Sequence, residues 1–305
     1  MKKLSFLLFI TSFIAVTVAI AAQRVPGTKI TLIPPDNFIR ATQFPGYIRQ
    51  ETGSSIMVTE MPGPFSEVTK GFTKPSLATV GVKLIDKKSI KLNDQDAILL
   101  HASQNLHGTE FLKWMLVFGD ESETILIVAI FPKLFEDELS ASLKASVLSA
   151  IWNKDIEVDF FEGVTFRVSE KGKLKISKKI GNSIVLSLNG DFPVRSKDDP
   201  LVIVGSSITE AWNITNKKAY ARERLKVSIK IIEILKEEDV LIDGLEGIKI
   251  IAKGQDMKTN HYRLVYHALL YTKDGYYIFQ GFSDFKERNE YEAIFGDILE
   301  SFKRH

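Results

Sequence analysis

The sequence predicts an α+β fold of two similar lobes, each a mainly antiparallel sheet covered by helices in an α-β sandwich. Three observations carry this. Residues 89–152 and 239–303 follow one plan: an Asx/Gly turn, three apolar-rich runs and a helix-patterned tail. Leu92-Asn93-Asp94 matches Ile242-Asp243-Gly244 at an offset of 150, and Phe131 and Ile151 match Phe282 and Phe302 at 151. The runs are joined by short turns, which makes successive strands antiparallel, and they do not alternate regularly with helices, which disfavours a doubly wound parallel sheet.

The chain opens with Lys2 and Lys3, an uncharged apolar run over 4–20, and the small–x–small site Ala19-Ile20-Ala21. This predicts a signal peptide over 1–21, a mature start at Ala22, and a periplasmic or extracellular product. The alternative is an uncleaved membrane anchor, because the run approaches the lower length limit for a span. No cysteine is present to carry a lipid.

The first lobe, 22–154, begins with an alternating strand over 28–33 stopped by Pro34-Pro35, and an irregular connection over 38–44. A strand over 54–60 ends at Pro62-Gly63-Pro64, and short helical turns follow over 65–72 and 76–80. A strand over 82–92 leads into a meander over 97–103, 110–118 and 124–131. Pro132 ends the sheet. Glu136-Asp137-Glu138 then places acid at a helix N-terminus, where the macrodipole favours it. Leu139, Leu143, Val147 and Ile151 form an apolar stripe at spacing four.

The second lobe, 155–305, repeats the order. Strands are predicted over 160–168, 173–178 and 184–188, and a helix over 207–224 capped by Ser207 or Thr209. A strand over 226–235 breaks its own alternation at Ile232. The closing meander covers 247–253, 261–272 and 276–282, with Lys273-Asp274-Gly275 as a hairpin turn. Tyr291, Ile294, Phe295, Ile298, Leu299 and Phe302 make a full helical stripe.

Composition excludes several functions. The absence of cysteine removes thiol nucleophiles, thiolate metal sites and disulfides. The 40 basic and 38 acidic residues balance once Lys2 and Lys3 are set aside. Neither lobe is basic enough to be a nucleic-acid binder. Neither carries a single-sign field that would steer a charged partner.

No constellation specifies a reaction. His101/His107 and His261/His267 share a spacing of six, which along an unbroken strand separates two residues by ~20 Å. A turn at 105–108 could fold the first pair together, but a zinc site needs further ligands. The preferred reading is polar residues on the solvent face of a strand. Ser54, Ser55, Ser206 and Ser207 lack the Gly-x-Ser-x-Gly frame of a nucleophile elbow and read as loop and cap residues. Asp94/Asp96, Asp198/Asp199 and Glu237-Glu238-Asp239 read as solvated turns. Phosphate-cradling and dinucleotide-binding glycine motifs are absent. The reading therefore assigns no catalytic, cofactor-binding or metal residue and no cofactor.

Two features form a candidate binding surface: the stiff loop with Pro62, Pro64 and Phe65, and the basic stretch with Lys217, Lys218, Arg222 and Arg224. A solvated helix face is the simpler account of the second. The five tyrosines from Tyr262 to Tyr277 read mainly as cross-strand packing.

The order strand–loop–strand, helical insert, meander and closing helix with Ile298-Leu299-Glu300-Ser301-Phe302 resembles the PsbP-like superfamily. Its relatives include Mog-type and DcrB-like proteins. The resemblance covers nearly all of the second lobe and, more loosely, the first, where Leu148-Ser149-Ala150-Ile151-Trp152 stands in the tail position. It implies an exported, non-catalytic binding or accessory protein, with an envelope protein or a membrane surface as partner and no nucleic acid. The alternatives are an exported hydrolase with a site between the lobes, and an envelope protein held by an uncleaved N-terminal segment.

Overall fold

The structure is a computed structural model that describes residues 21–106, 108–207, 214–227 and 229–305. Residues 1–20 of the predicted signal segment, His107 and Thr209 lie outside the described residues. The first half contains β1 (Gln23–Arg24), β2 (Ile30–Leu32), β3 (Ile39–Arg40), β4 (Gly46–Arg49) and β5 (Ser54–Pro62). Then come α1 (Phe65–Val68), α2 (Lys74–Ala78), β6 (Val82–Leu92), β7 (Gln95–Leu106), β8 (Thr109–Gly119), β9 (Glu123–Pro132), α3 (Glu136–Leu148) and β10 (Ile151–Trp152). The second half holds β11 (Phe166–Arg167), β12 (Leu174–Ile180), β13 (Ser183–Leu188), β14 (Leu201–Ser206) and α4 (Lys217–Lys226). It closes with β15 (Lys230–Ile242), β16 (Leu245–Gln255), β17 (Tyr262–Tyr271), β18 (Tyr276–Asp284), α5 (Arg288–Glu300) and β19 (Lys303–Arg304).

Two seven-stranded antiparallel sheets dominate, with the same topology: β3-β4-β5-β9-β8-β7-β6 and β12-β13-β14-β18-β17-β16-β15. Side-chain alternation gives each sheet two buried faces. In β9, Ile125, Ile127, Ala129 and Phe131 share a core with Leu139, Leu143 and Val147 of α3. Leu126 and Val128 face the other way, toward Leu77 of α2 and half-buried Phe65 and Phe72. In the second sheet, Phe295, Ile298 and Leu299 of α5 pack on one face, and Ala221 and Leu225 of α4 on the other. The helices are few, and the expected cover is partial: β6 and β15 are edge strands with mostly exposed side chains.

The duplication has a different register from the one the sequence suggests. The β6–β7 and β15–β16 hairpin turns do stand 150 positions apart, with Asn93, Asp94, Asp243 and Gly244 at positive φ. Beyond the meander's next turn, however, the offset is 152. The pairs Gly119↔Thr124 and Tyr271↔Tyr276 close equivalent hairpins, and α3 and α5 start at Glu136 and Arg288. Phe131 therefore corresponds to buried Ser283, not to Phe282, which faces the α4 side. Ala150 corresponds to Phe302, both buried, whereas Ile151 is 45% exposed in β10 and leaves the helical stripe. A one-residue slip moves a strand's side chains to the opposite face, so the structure decides between the two offsets. Small details repeat at 152. Ser149 and Ser301 cap their helices, donating from Oγ to the carbonyls of Ser146 (2.7 Å) and Ile298 (2.6 Å). The same hydroxyls accept the N–H groups of Ile33 and Ser169, each at 2.8 Å.

Other expectations need correction. The strand read over 160–168 is only Phe166–Arg167, paired with β19. Helix α4 starts at Lys217, where Asn216 accepts the Ala219 N–H at 2.9 Å; Ser207 instead accepts the N–H of Tyr276 at 3.0 Å. The strand read over 226–235 is β15, shifted toward the C-terminus. Bulges after Ile231 and Ile234 explain its broken alternation. Strands β4 and β14 complete the sheets although their sequence patterns suggested neither.

Candidate functional site

Where the two sheets approach each other, β5 and β9 face β12, and charge converges. Glu60 is on β5, Glu123 on β9, Lys178 and Lys179 on β12, and Lys29 just before β2. With the connecting segment 154–160 they line a cleft of about 460 Å³. That lies within the ~300–1,000 Å³ range of ligand pockets. Four lysines (Lys29, Lys154, Lys178, Lys179) and four acids (Glu60, Glu123, Asp155, Glu157) line it, so its walls are neutral overall.

The charged groups are tied to one another across the halves. Glu123, 7% exposed, accepts from Lys178 at 2.7 Å and Lys29 at 3.4 Å. Lys179 is 9% exposed and donates from Nζ to the carbonyls of Gly27 (2.9 Å) and Glu162. Arg24 pairs with Glu162 beside it. Glu60 accepts the Lys29 N–H at 2.6 Å. Burial pushes the Lys179 ammonium down to about 8, against the opposing pull of Glu60, Glu162 and Asp159. Burial also raises the Glu60 carboxyl, opposed by the Lys29 N–H bond. Gly27, at φ +72°, has no room for a side chain: a Cβ there would overlap the Glu162 carbonyl and Lys179 Nζ.

The outer wall is different in kind. Residues 156–159 belong to no helix or strand, and Ile156, Val158 and Phe160 line the cleft with Glu157 between them. Ile156 N–H bonds to the Asn153 carbonyl at 3.2 Å, and Phe161 N–H to Asp159 at 2.9 Å. Between these, the N–H and C=O groups of Glu157 and Val158 have no protein partner among the described residues. These groups are left to solvent.

The candidate surface residues are not brought together. Pro62 ends β5 and Pro64 precedes α1; half-buried Phe65 packs with Leu77 and Val82. The loop is stitched to the β8–β9 turn by Gly63 N–H to Ser122 O (2.9 Å) and Phe65 N–H to Asp120 O (2.8 Å). On α4, Lys217 pairs with Glu246 (2.8 Å), Lys218 with Asp239 (2.8 Å) and Arg222 with Glu237 (2.6 Å). Arg224 is half-buried, and its buried Nε has no partner among the described residues. Glu237 and its two neighbours therefore lie in β15, not in a turn.

His261 is exposed and pairs with Asp198 at 2.8 Å, whereas His101, His267, Ser54 and Ser206 occupy structural positions. His101 stacks on Trp114 at 4.1 Å, and His267 is fully buried beneath α4, so neither sits on a solvent face. Burial, followed by the charge of Arg224, lowers the His267 pKa to about 4, against the opposing pull of the Ala221 main chain. Ser54 is buried and accepts from Thr52; Ser206 donates to the Gln43 carbonyl at 3.3 Å. Among the described residues, no group of three or more metal-ligating side chains assembles, and no helix is long and apolar enough to cross a membrane. Sequence reasoning missed the cleft residues. The available signal was Glu60, which continues the inward parity of Ser54, Ile56 and Val58.

No family model matches the sequence. No curated protein matches it either. Among solved structures, the apo immunity protein TplEi of the T6SS from Pseudomonas aeruginosa is 11% identical, covering 93% of this chain and 96% of its own at a TM-score of 0.35. The Tle4–Tli4 complex gives 10% identity, 93% and 96% coverage and a TM-score of 0.33. Cyanobacterial PsbP (CyanoP) from Synechocystis sp. PCC 6803 is 12% identical over 46% of this chain and 82% of its own, with a TM-score of 0.30. At these TM-scores the likenesses carry no argument about function.

Proposed function

We propose that this chain is an exported, non-catalytic binding protein built from two PsbP-like units, 22–154 and 155–305. Its inter-sheet cleft receives an extended segment of an envelope protein. The supporting observation is the outer wall of the cleft, where unpaired main chain at Glu157 and Val158 runs between apolar side chains at the mouth. Main-chain pairing supplies affinity in such a mode, and side-chain pockets supply selectivity. The buried lysine–glutamate cluster beneath is the rigid floor. The rival hydrolase reading has converging carboxylates in Glu60 and Glu123. Both already hold hydrogen bonds or ion pairs from Lys29 or Lys178, and neither serine nor histidine lines the cleft among the described residues.

Photocrosslinking in the producing cell tests this. A benzophenone amino acid at position 157 or 160 is expected to give one dominant protein adduct, absent when the probe replaces Lys83 on the distant edge strand β6. Equal adducts from all three positions, or turnover of an ester or glycoside panel by the purified chain, would overturn the reading. Mass spectrometry of the mature N-terminus tests export: a start at Ala22 supports it, and an intact Met1 supports the anchored alternative.

A further inference from the structure

A second pocket, sharing no residue with the cleft, opens where the loop after β13 and the loop after β16 meet the α4 face of the second sheet; its volume is about 500 Å³. Leu201 on β14, Phe282 on β18, Ile229 before β15 and Met257 give it an apolar wall. Met257 is largely exposed at the mouth.

Four cations converge on the same space: Arg263, Lys197, Lys230 and Lys258. Arg263 is only 6% exposed. Its guanidinium donates to three main-chain carbonyls, Ser283 (3.0 Å), Lys197 and Asp199 (3.2 Å). A guanidinium has five N–H donors, so two are uncommitted among the described residues. The nearest carboxylate, Asp198, is 4.0 Å away and already accepts from His261 at 2.8 Å. The carbonyl bonds fix the fork in place, so no ordering of the side chain is needed when a ligand arrives.

The lysines of the rim make no close ion pair, although the charge of Lys197 acts on Asp256. Most charged side chains on this sheet are paired, yet Lys197, Lys230 and Lys258 have no carboxylate within ion-pair distance among the described residues. The two acids lining the pocket accept backbone N–H groups within their own turns, and their charges, with those of Asp198 and Asp284, act on Arg263. Asp256 accepts the N–H groups of Thr259 (3.0 Å) and Lys258 (2.7 Å), which hold its carboxyl below the usual range with smaller help from the Lys197 and Arg263 charges. Asp199 accepts the Ser196 N–H at 2.9 Å.

We infer that this pocket binds a small amphipathic carboxylate, with the head on Arg263 and the lysine rim and the aliphatic body on Leu201, Ile229, Phe282 and Met257. A planar carboxylate matches the two remaining guanidinium donors, and the apolar wall distinguishes an acyl carboxylate from a simple anion. The inference is independent of the cleft and its partner.

Isothermal titration of the mature chain with decanoate, kept below its micelle concentration, tests it. Saturable one-to-one binding is expected. Acetate, which lacks the body, and decanol, which lacks the charge, should each bind at least tenfold more weakly. The double variant Lys230→Glu/Lys258→Glu alters only exposed rim residues; it should keep the wild-type melting temperature and lose at least tenfold in decanoate affinity. Equal binding of decanoate and decanol, wild-type affinity in the double variant, or no saturable decanoate binding would each overturn the assignment.

Discussion

Replacing Lys179 with methionine isolates the electrostatic cost of the cleft floor. Lys179 Nζ is held by the carbonyls of Gly27 and Glu162, and burial lowers its pKa from 10.5 to about 8. The folded chain therefore releases this proton before the unfolded chain does. Between those values the unfolded state binds more protons, so stability rises with pH; below about pH 8 the burial cost is present in full. The drop corresponds to ~3 kcal/mol. Methionine does not titrate and fills similar volume. Subtracting the Lys179→Met stability from that of wild type at each pH cancels the contributions of the other lysines and the tyrosines. Urea unfolding of both proteins from pH ~7.5 to ~10.5 should show that difference moving in favour of wild type by ~3 kcal/mol. A flat difference, or one that falls with pH, would mean that the ammonium is well solvated in the folded chain and carries no burial cost.

Two further outcomes follow from buried groups. His267 is held neutral beneath α4, with its pKa lowered to about 4 from 6.5, so its contribution is present above pH 6.5 and lost as pH falls toward 4. His267→Gln should flatten the acid limb of the stability curve by ~3 kcal/mol between those values, read by urea unfolding at each pH. Gly281 lies against the Phe295 ring, and an added Cβ would meet it at 2.7 Å. At the corresponding positions 152 earlier, Ala129 shares a core with the smaller Leu143. Gly281→Ala should cost ~1–3 kcal/mol, and adding Phe295→Leu should recover much of that loss, as measured by thermal unfolding of the three variants.

The meander and the closing helices were legible because each carries a clean period. Leu139, Leu143 and Val147 fall on one helical face, as do Tyr291, Phe295, Ile298 and Leu299. What misled is equally specific. The two halves differ by 150 positions at the β6–β7 turn and by 152 from the β8–β9 turn onward, so matching aromatic residues by identity paired Phe131 with Phe282 across opposite faces. Bulges in β15 break the two-residue alternation that marks a strand. Strand β4 has only four residues, too few for a period to emerge. The cleft was illegible for a different reason. Glu60, Glu123 and Lys179 come from three strands far apart in sequence, and only their shared inward position reveals them as a cluster. The basic stretch on α4 stood out in sequence, yet Lys217, Lys218 and Arg222 are each paired with acids from β15 or β16.

In the proposed mode the partner binds at the unpaired main chain along the cleft mouth. Hydrogen exchange of the full chain, alone and with the crosslinked partner supplied as purified protein, reads this at single residues. New protection is expected at the amides of Glu157 and Val158, while the exposed turn at 256–260 exchanges as before. Protection confined to α4 or to the loop at Pro62–Phe65, with residues 157 and 158 unchanged, would contradict it.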